Sequence, residues 1–184
     1  SSKARSTHRS GARNFGQVDA IMASDSTVLV VEDETNLADL YATWLSEAYE
    51  VRTAYGGEEA LDVLDDEVDV VLLDRRMPGV SGDEVLDGIR DRGMDCRVAM
   101  VTAVEPDFDI ITMGFDDYLV KPVSKDDLHE TVGRLEIRST YNDRLEEYAT
   151  LMAKKTALEA EKTEAELESS QEFEQLEQRI SSLR

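Results

Sequence analysis

"VLVVEDETNL", residues 28–37, runs four apolar residues, Val28 to Val31, straight into two acids, Glu32 and Asp33. A continuous apolar run of about four residues suits a strand buried on both faces of a parallel sheet. From Leu37 the period changes. Leu37, Leu40, Tyr41, Trp44 and Leu45 fall at the spacing of one helix face. The stretch therefore reads as strand, acidic turn, helix.

The same unit recurs along the chain. Apolar runs appear at Val70–Leu73, Val98–Val101 and Tyr118–Val120, with a weaker one at Glu50–Ala54. Helix-period segments separate them: Ala60, Leu61 and Leu64, then Val85, Leu86 and Ile89. Pro106 fits the first turn of a helix through about Met113. A fifth helix starts after Pro122, with Ser124 as its N-cap. Alternating strands and helices predict an α/β fold, a five-stranded parallel doubly wound sheet with helices on both faces.

Past about Glu136 glycine and proline disappear. Tyr141, Leu145, Tyr148 and Met152 follow 4-3-4 spacing, and Phe173, Leu176, Ile180 and Leu183 follow 3-4-3. Between them "KKTALEAEKTEAELE" is built from good helix formers. Thr140 with Asp143, and Ser169 with Glu172, resemble capping boxes. The reading is a long helix, a break near Ser169–Ser170 and a short second helix. Each apolar seam is narrow and needs a partner, either the other helix folded back as a hairpin or a second copy of the chain. Residues 1–24 are polar, Ser/Arg-rich and aperiodic, and are expected to be a disordered extension. Their composition also suits a transit peptide, but Met22 is the expected natural start. The expected division is 1–24, then 25–136, then a helical extension over 137–184.

Composition excludes several classes. The chain of 184 residues has no apolar run long enough to span a membrane. Cys96 is the single cysteine, so no disulfide framework exists, and two distant histidines make a zinc site improbable. The net charge is −21, unevenly spread: +3 over residues 1–21, −18 over 22–123 and −6 over 124–184. Such a field disfavours nonspecific contact with nucleic acid or anionic lipid, and it strains the compact state unless ions screen it. Lysine is scarce, 6 against 14 arginines. A salt-rich cytoplasm is the expected setting.

In an open parallel sheet, ligands bind beyond the carboxyl ends of the strands. Those ends carry Glu32 and Asp33, Asp74, Thr102 and Lys121. Carboxylates brought within roughly 4 Å at an effective dielectric near 20 repel by about 4 kcal/mol per pair. Protons or a cation must relieve this. Hard oxygen ligands without His or Cys select Mg²⁺. Lys121 and a nearby hydroxyl then look like ligands for a phosphoryl group, and a carboxylate can itself attack phosphorus.

With "VLVVEDE", "VDVVLLDRRMPGVSGDE", "VAMVTA" and "GFDDYLVKP" in hand, residues 27 to about 135 resemble a CheY-like response-regulator receiver domain of two-component signalling. The resemblance implies strand order 2-1-3-4-5 and phosphorylation by a sensor histidine kinase. It implies Asp74 as the phosphoacceptor, and Glu32, Asp33, Asp74 and the backbone carbonyl of Arg76 as the Mg²⁺ ligands. Lys121 then contacts the phosphoryl group, its bond to Pro122 cis. Thr102 is the switch hydroxyl, Ala103 presents its N–H to the phosphate, and Tyr118 is the aromatic switch. The face of the fourth helix, fifth strand and fifth helix is implied to repack and to offer a dimer surface, with the C-terminal helices as a second one. The tail, through "YNDRLEEYATLMAKKTALEAEK" and "LESSQEFEQLEQRI", resembles the HalX domain of haloarchaea. The expectation is a cytoplasmic, phosphorylation-switched interaction protein. A DNA-binding regulator acting through the tail is the alternative, disfavoured by the acidic tail and the lack of a basic recognition helix. A stand-alone enzyme is not expected. An aspartate-nucleophile phosphatase wants an acid two residues after its nucleophile, where this chain has Arg76.

Overall fold

Val28, Val30, Val70, Leu72, Ala99 and Val101 point to one side of a sheet, and Leu29, Val31, Val71, Leu73, Val98 and Met100 to the other. Successive strand residues face opposite sides, so an unbroken apolar run demands cover on both. The computed structural model describes residues 25–138 and 143–184. The expected extension 1–24, and Tyr141 and the Thr140–Asp143 cap in the tail, lie outside what is described there. The strands are β1 (Thr27–Val31), β2 (Glu50–Ala54), β3 (Val68–Leu73), β4 (Arg97–Thr102) and β5 (Asp117–Val120). All pair in parallel, in the order β2-β1-β3-β4-β5, as the sequence predicts.

Helices α1 (Thr35–Leu45) and α4 (Lys125–Arg138) cover the first side with Ala38, Tyr41, Leu45, Leu128, Val132 and Leu135. Leu40, expected on the buried stripe of α1, turns outward and is 42% exposed. Ser124 caps α4 as expected, accepting from Asp127 N–H at 3.0 Å while Asp127 accepts from Ser124 N–H. Helices α2 (Gly57–Val63) and α3 (Gly82–Asp91) cover the second side with Ala60, Val85, Leu86 and Ile89. Helix α3 opens on a full capping box between Ser81 and Glu84. Its first residue must be glycine, because a Cβ at Gly82 would lie 1.9 Å from the Asp74 carbonyl oxygen.

Between β4 and β5 the structure departs from the reading. Instead of a helix from Pro106 to Met113 there is a short 3-10 segment, Phe108–Thr112, capped by Asp107. The tail supplies the missing cover. It forms α5 (Asp143–Glu161), α6 (Glu164–Glu168) and α7 (Gln171–Ser182). The long helix breaks earlier than expected, at a Thr163–Glu166 capping box. At the later break Ser170, not Ser169, caps α7 by accepting from Phe173 N–H at 3.0 Å.

Helices α5 and α7 fold back as a hairpin, held by a bidentate Arg179–Glu147 pair at 2.8 Å. The hairpin seam packs on the receiver of the same chain. Leu158, Phe173, Leu176 and Ile180 join Ile110, Phe115 and Tyr118 in the same buried layer as Val85 and Leu86. The side of the sheet expected to carry a fourth helix beside β5 is thus roofed by the tail of the same chain. Among the described residues no helix is long and apolar enough to cross a membrane.

Candidate phosphoryl-transfer site

The ladder of the sheet continues one residue past the strands and sets the site. Glu32 N–H donates to Ala54 at 3.0 Å, Asp74 N–H to Val31 at 3.1 Å, and Lys121 N–H to Thr102 at 2.9 Å. Glu32, Asp74, Thr102 and Lys121 are thereby brought to one rim of the sheet. The peptide bond between Lys121 and Pro122 is cis.

Carboxylate oxygens of Glu32, Asp33 and Asp74 lie within 4.8 Å of one another. Glu32 and Asp74 are buried, and Asp33 is more open. Lys121 Nζ donates to both buried acids, to Asp74 Oδ2 at 2.9 Å and to Glu32 Oε1. Burial raises the Glu32 pKa against the opposing pull of Lys121 and the Glu34 N–H. Burial also works against charge on Lys121, yet its bonds to the two acids prevail and its pKa is raised. Three hard oxygen donors with no His or Cys among them, one side open, fit a magnesium ion.

Arg76 donates its backbone N–H to Asp74 Oδ1 at 3.4 Å. Thr102 is fully buried, and its Oγ1 accepts from Val104 N–H at 3.2 Å. Ala103 lies exposed between them in the loop after β4. Tyr118 is buried, and its hydroxyl donates to the Val104 carbonyl at 2.7 Å. Two residues after the end of β4, Val104 therefore connects the Thr102 hydroxyl to the Tyr118 hydroxyl.

Arg75 is a residue that sequence reasoning missed, and it is buried at 8% exposure. Its guanidinium grips both oxygens of Asp83 at 3.0 and 2.9 Å, Asp109 Oδ2 at 2.9 Å, and the Tyr118 hydroxyl at 3.3 Å. These bonds, Asp83 first, overcome burial and raise its pKa. No local spacing announces this fork, because its partners lie on α3, the 3-10 segment and β5.

Lys154 was equally hidden in the Ala/Glu/Lys run of the tail. Only 5% exposed, it donates to the carbonyls of Ile111 at 2.8 Å and Met113 at 2.7 Å, and its ammonium sits 5.3 Å from the centre of the Phe115 ring. Lys162 pairs with Asp107 at 3.1 Å and lies over Phe108.

Known proteins align with this architecture in two pieces. The response regulator receiver domain family matches residues 28–133, and the HalX domain family matches residues 137–184. A Haloferax volcanii protein named "Putative transcriptional regulator" is 53% identical over 163 residues, which is 88% of this chain and 28% of that protein. The chain spans between 28% and 56% of the length of the first curated relatives it matches. Among solved structures, the receiver domain of the Francisella response regulator 1452 superposes with a TM-score of 0.57 at 29% identity, covering 63% of this chain and all of that one. The Thermotoga maritima response regulator TrrA in complex with Mg(2+)-BeF superposes with a TM-score of 0.53 at 38% identity, covering 60% of this chain and 98% of that one. The chain belongs to the response-regulator receiver family and carries a HalX domain behind its receiver.

Proposed function

We propose that this two-component response regulator accepts a phosphoryl group on Asp74 from the phosphohistidine of a sensor histidine kinase and passes the change to its helical tail. The observation that carries the reading is the pair of hydrogen bonds that Lys121 donates to Asp74 and Glu32 amid three carboxylates. An oxygen of Asp74 attacks phosphorus in line as the bond to the histidine nitrogen breaks, leaving an aspartyl-phosphate. Glu32, Asp33, Asp74 and the Arg76 carbonyl are the groups that would hold Mg²⁺, whose charge offsets that of the phosphoryl oxygens. Lys121 moves from its acid partners toward the transferred group, and the Ala103 N–H and Thr102 hydroxyl contact its other oxygens. Drawing Thr102 toward the phosphoryl group disturbs the Val104 loop on which the Tyr118 hydroxyl rests. The protein acts here as acceptor and self-dephosphorylating switch, with no separate small-molecule substrate, in a salt-rich cytoplasm.

The test is labelling of the purified chain with radioactive acetyl phosphate and Mg²⁺. Label is expected on the native chain and absent for Asp74→Ala or in EDTA. Label surviving either change would refute the assignment.

A second reading rests on the name of the Haloferax relative: transcriptional regulation by DNA contact through the tail. In molar salt the counterion-release penalty for an acidic protein weakens. A gel shift in high KCl addresses it, and no shifted band at any concentration counts against it. Assembly through the β5 side or the tail helices is tested by light scattering with and without beryllofluoride.

A further inference from the structure

Tyr118, expected as an aromatic switch, already lies inward. It is buried, and its ring centre is 5.5 Å from that of Phe115. Its hydroxyl is used twice, donating to the Val104 carbonyl at 2.7 Å and accepting from Arg75 Nη1 at 3.3 Å. Close packing does not enforce this position. Beside the ring a cavity of about 560 Å³ lies between β5 and α5, lined by Tyr118 itself, Pro106, Val120, Ala153, Thr156 and Ala157. Pockets of that size hold drug-sized molecules, so a phenol ring has room there.

The two bonds differ in what holds their far ends. Val104 belongs to the loop after β4 and donates its N–H to the Thr102 hydroxyl at 3.2 Å, so it moves with Thr102. Arg75 is anchored elsewhere. Its Nε and Nη2 take the two oxygens of Asp83 on α3 at 3.0 and 2.9 Å, and Nη2 also takes Asp109 at 2.9 Å. Charge-assisted forked bonds of this kind are strong and fix orientation. They leave Nη1 aimed at the phenol oxygen.

We propose that Arg75 is a positioning residue that holds Tyr118 inward whether or not Asp74 carries a phosphoryl group, so that this ring is a fixed part of the layer beneath the tail and not a moving part of the switch. The half of the proposal that concerns phosphorylation rests on the reading of Asp74 as phosphoacceptor. A ligand shifts a conformational equilibrium only by its preference for one state over the other. With the ring inward before any phosphoryl group arrives, no outward population is left to recruit. Thr102 and Val104 can then shift toward the phosphoryl group while the Arg75 bond, anchored on α3, keeps the ring in place.

The experiment measures, by nuclear magnetic resonance of the isotope-labelled full chain, the couplings of Tyr118 Cγ to its backbone nitrogen and carbonyl carbon, which report χ1. Side chains sit in discrete rotamers, so a single position and an average are distinguishable. The native chain is expected to show one rotamer, the same with and without saturating beryllofluoride and Mg²⁺, whose binding calorimetry verifies. Arg75→Met removes the donor and is expected to give couplings averaged over two rotamers. Arg52→Met removes a pair with Asp65 and Glu67 on the edge strand β2 and is expected to keep the native couplings. A change of rotamer when beryllofluoride binds the native chain, or the single native rotamer in a folded Arg75→Met, overturns the proposal and leaves the phosphoacceptor reading intact. The beryllofluoride arm needs no variant, so it decides the matter if Arg75→Met fails to fold. A native chain that binds no beryllofluoride brings down the phosphoacceptor reading instead, and the hold of Arg75 on Tyr118 is then judged by Arg75→Met.

Discussion

The ammonium of Lys121 sits 2.9 Å from Oδ2 of Asp74, a contact between residues 47 apart in sequence, and the same ammonium serves Glu32. Take it away and two buried carboxylates face each other with no cation. Breaking a buried pair costs about 3–5 kcal/mol, less when water reaches the site, and here the Lys121 side chain keeps 16% exposure. Lys121→Met is expected to lose about 1–3 kcal/mol in EDTA and to regain part of it with Mg²⁺. Urea unfolding in the two buffers checks this. A variant indifferent to Mg²⁺ would count against a cation site.

Leu158 is in the tail by sequence and in the receiver's core by packing, with no exposure at all. Leu158→Ala should destabilise the whole chain by about 2–5 kcal/mol. Leu145, on the same helix but 49% exposed, should tolerate alanine within about 0.5 kcal/mol. Denaturant unfolding of both variants, followed by fluorescence of Trp44 on the far side of the sheet, tests whether hairpin and sheet unfold together. Equal curves for the two variants would separate the hairpin from the core.

Gly82 leaves no room for a side chain under the Asp74 carbonyl. Its N–H also donates to the Arg75 carbonyl at 2.8 Å. Gly82→Ala must push apart backbone on both sides, so a loss of about 2 kcal/mol or more is expected, together with weaker labelling of Asp74. Native-like stability and labelling would mean that the loop has slack.

Burial lowers the Lys154 pKa from its ordinary 10.5 to about 8, against the attraction of Asp116. Between those values the unfolded chain holds a proton that the folded chain has released. Stability from this residue therefore rises with pH across that window and is flat below it. The stability of the native chain relative to Lys154→Met should grow from pH 8 to 10, by on the order of 2 kcal/mol. Urea melts at pH 7, 8.5 and 10 measure it, and a constant difference would show that the ammonium is not desolvated.

Self-repulsion at a net charge of −21 should make the melting temperature climb steeply from low to molar KCl. An equal climb in sucrose of matched osmotic strength would point to excluded volume and away from charge.

The sheet was legible because four apolar runs buried on both faces admit few other arrangements, and helix-period segments between them fix parallel order. The site was legible because acids, a hydroxyl and a lysine stand at the ends of those runs. The 3-10 segment was not. "PDFDIITM" carries enough apolar residues and a leading proline for a helix, and only the distant Lys154 ammonium and the roof of α7 settle the shorter form. The Thr163–Glu166 capping box was present in the sequence, but it lay within a run of strong helix formers that argues for continuity. Arg75 and Lys154 carried no signal. A buried cation is recognised by its acceptors, and these come from elements that sequence spacing does not relate.

Because Leu158, Phe173, Leu176 and Ile180 complete the layer that holds Ile110, Phe115 and Tyr118, the two family segments are not interchangeable cassettes. A chimera grafting the tail of one such regulator onto the receiver of another would inherit mismatched volumes at that seam. Functional exchange would demand that the 3-10 segment travel with the hairpin it meets.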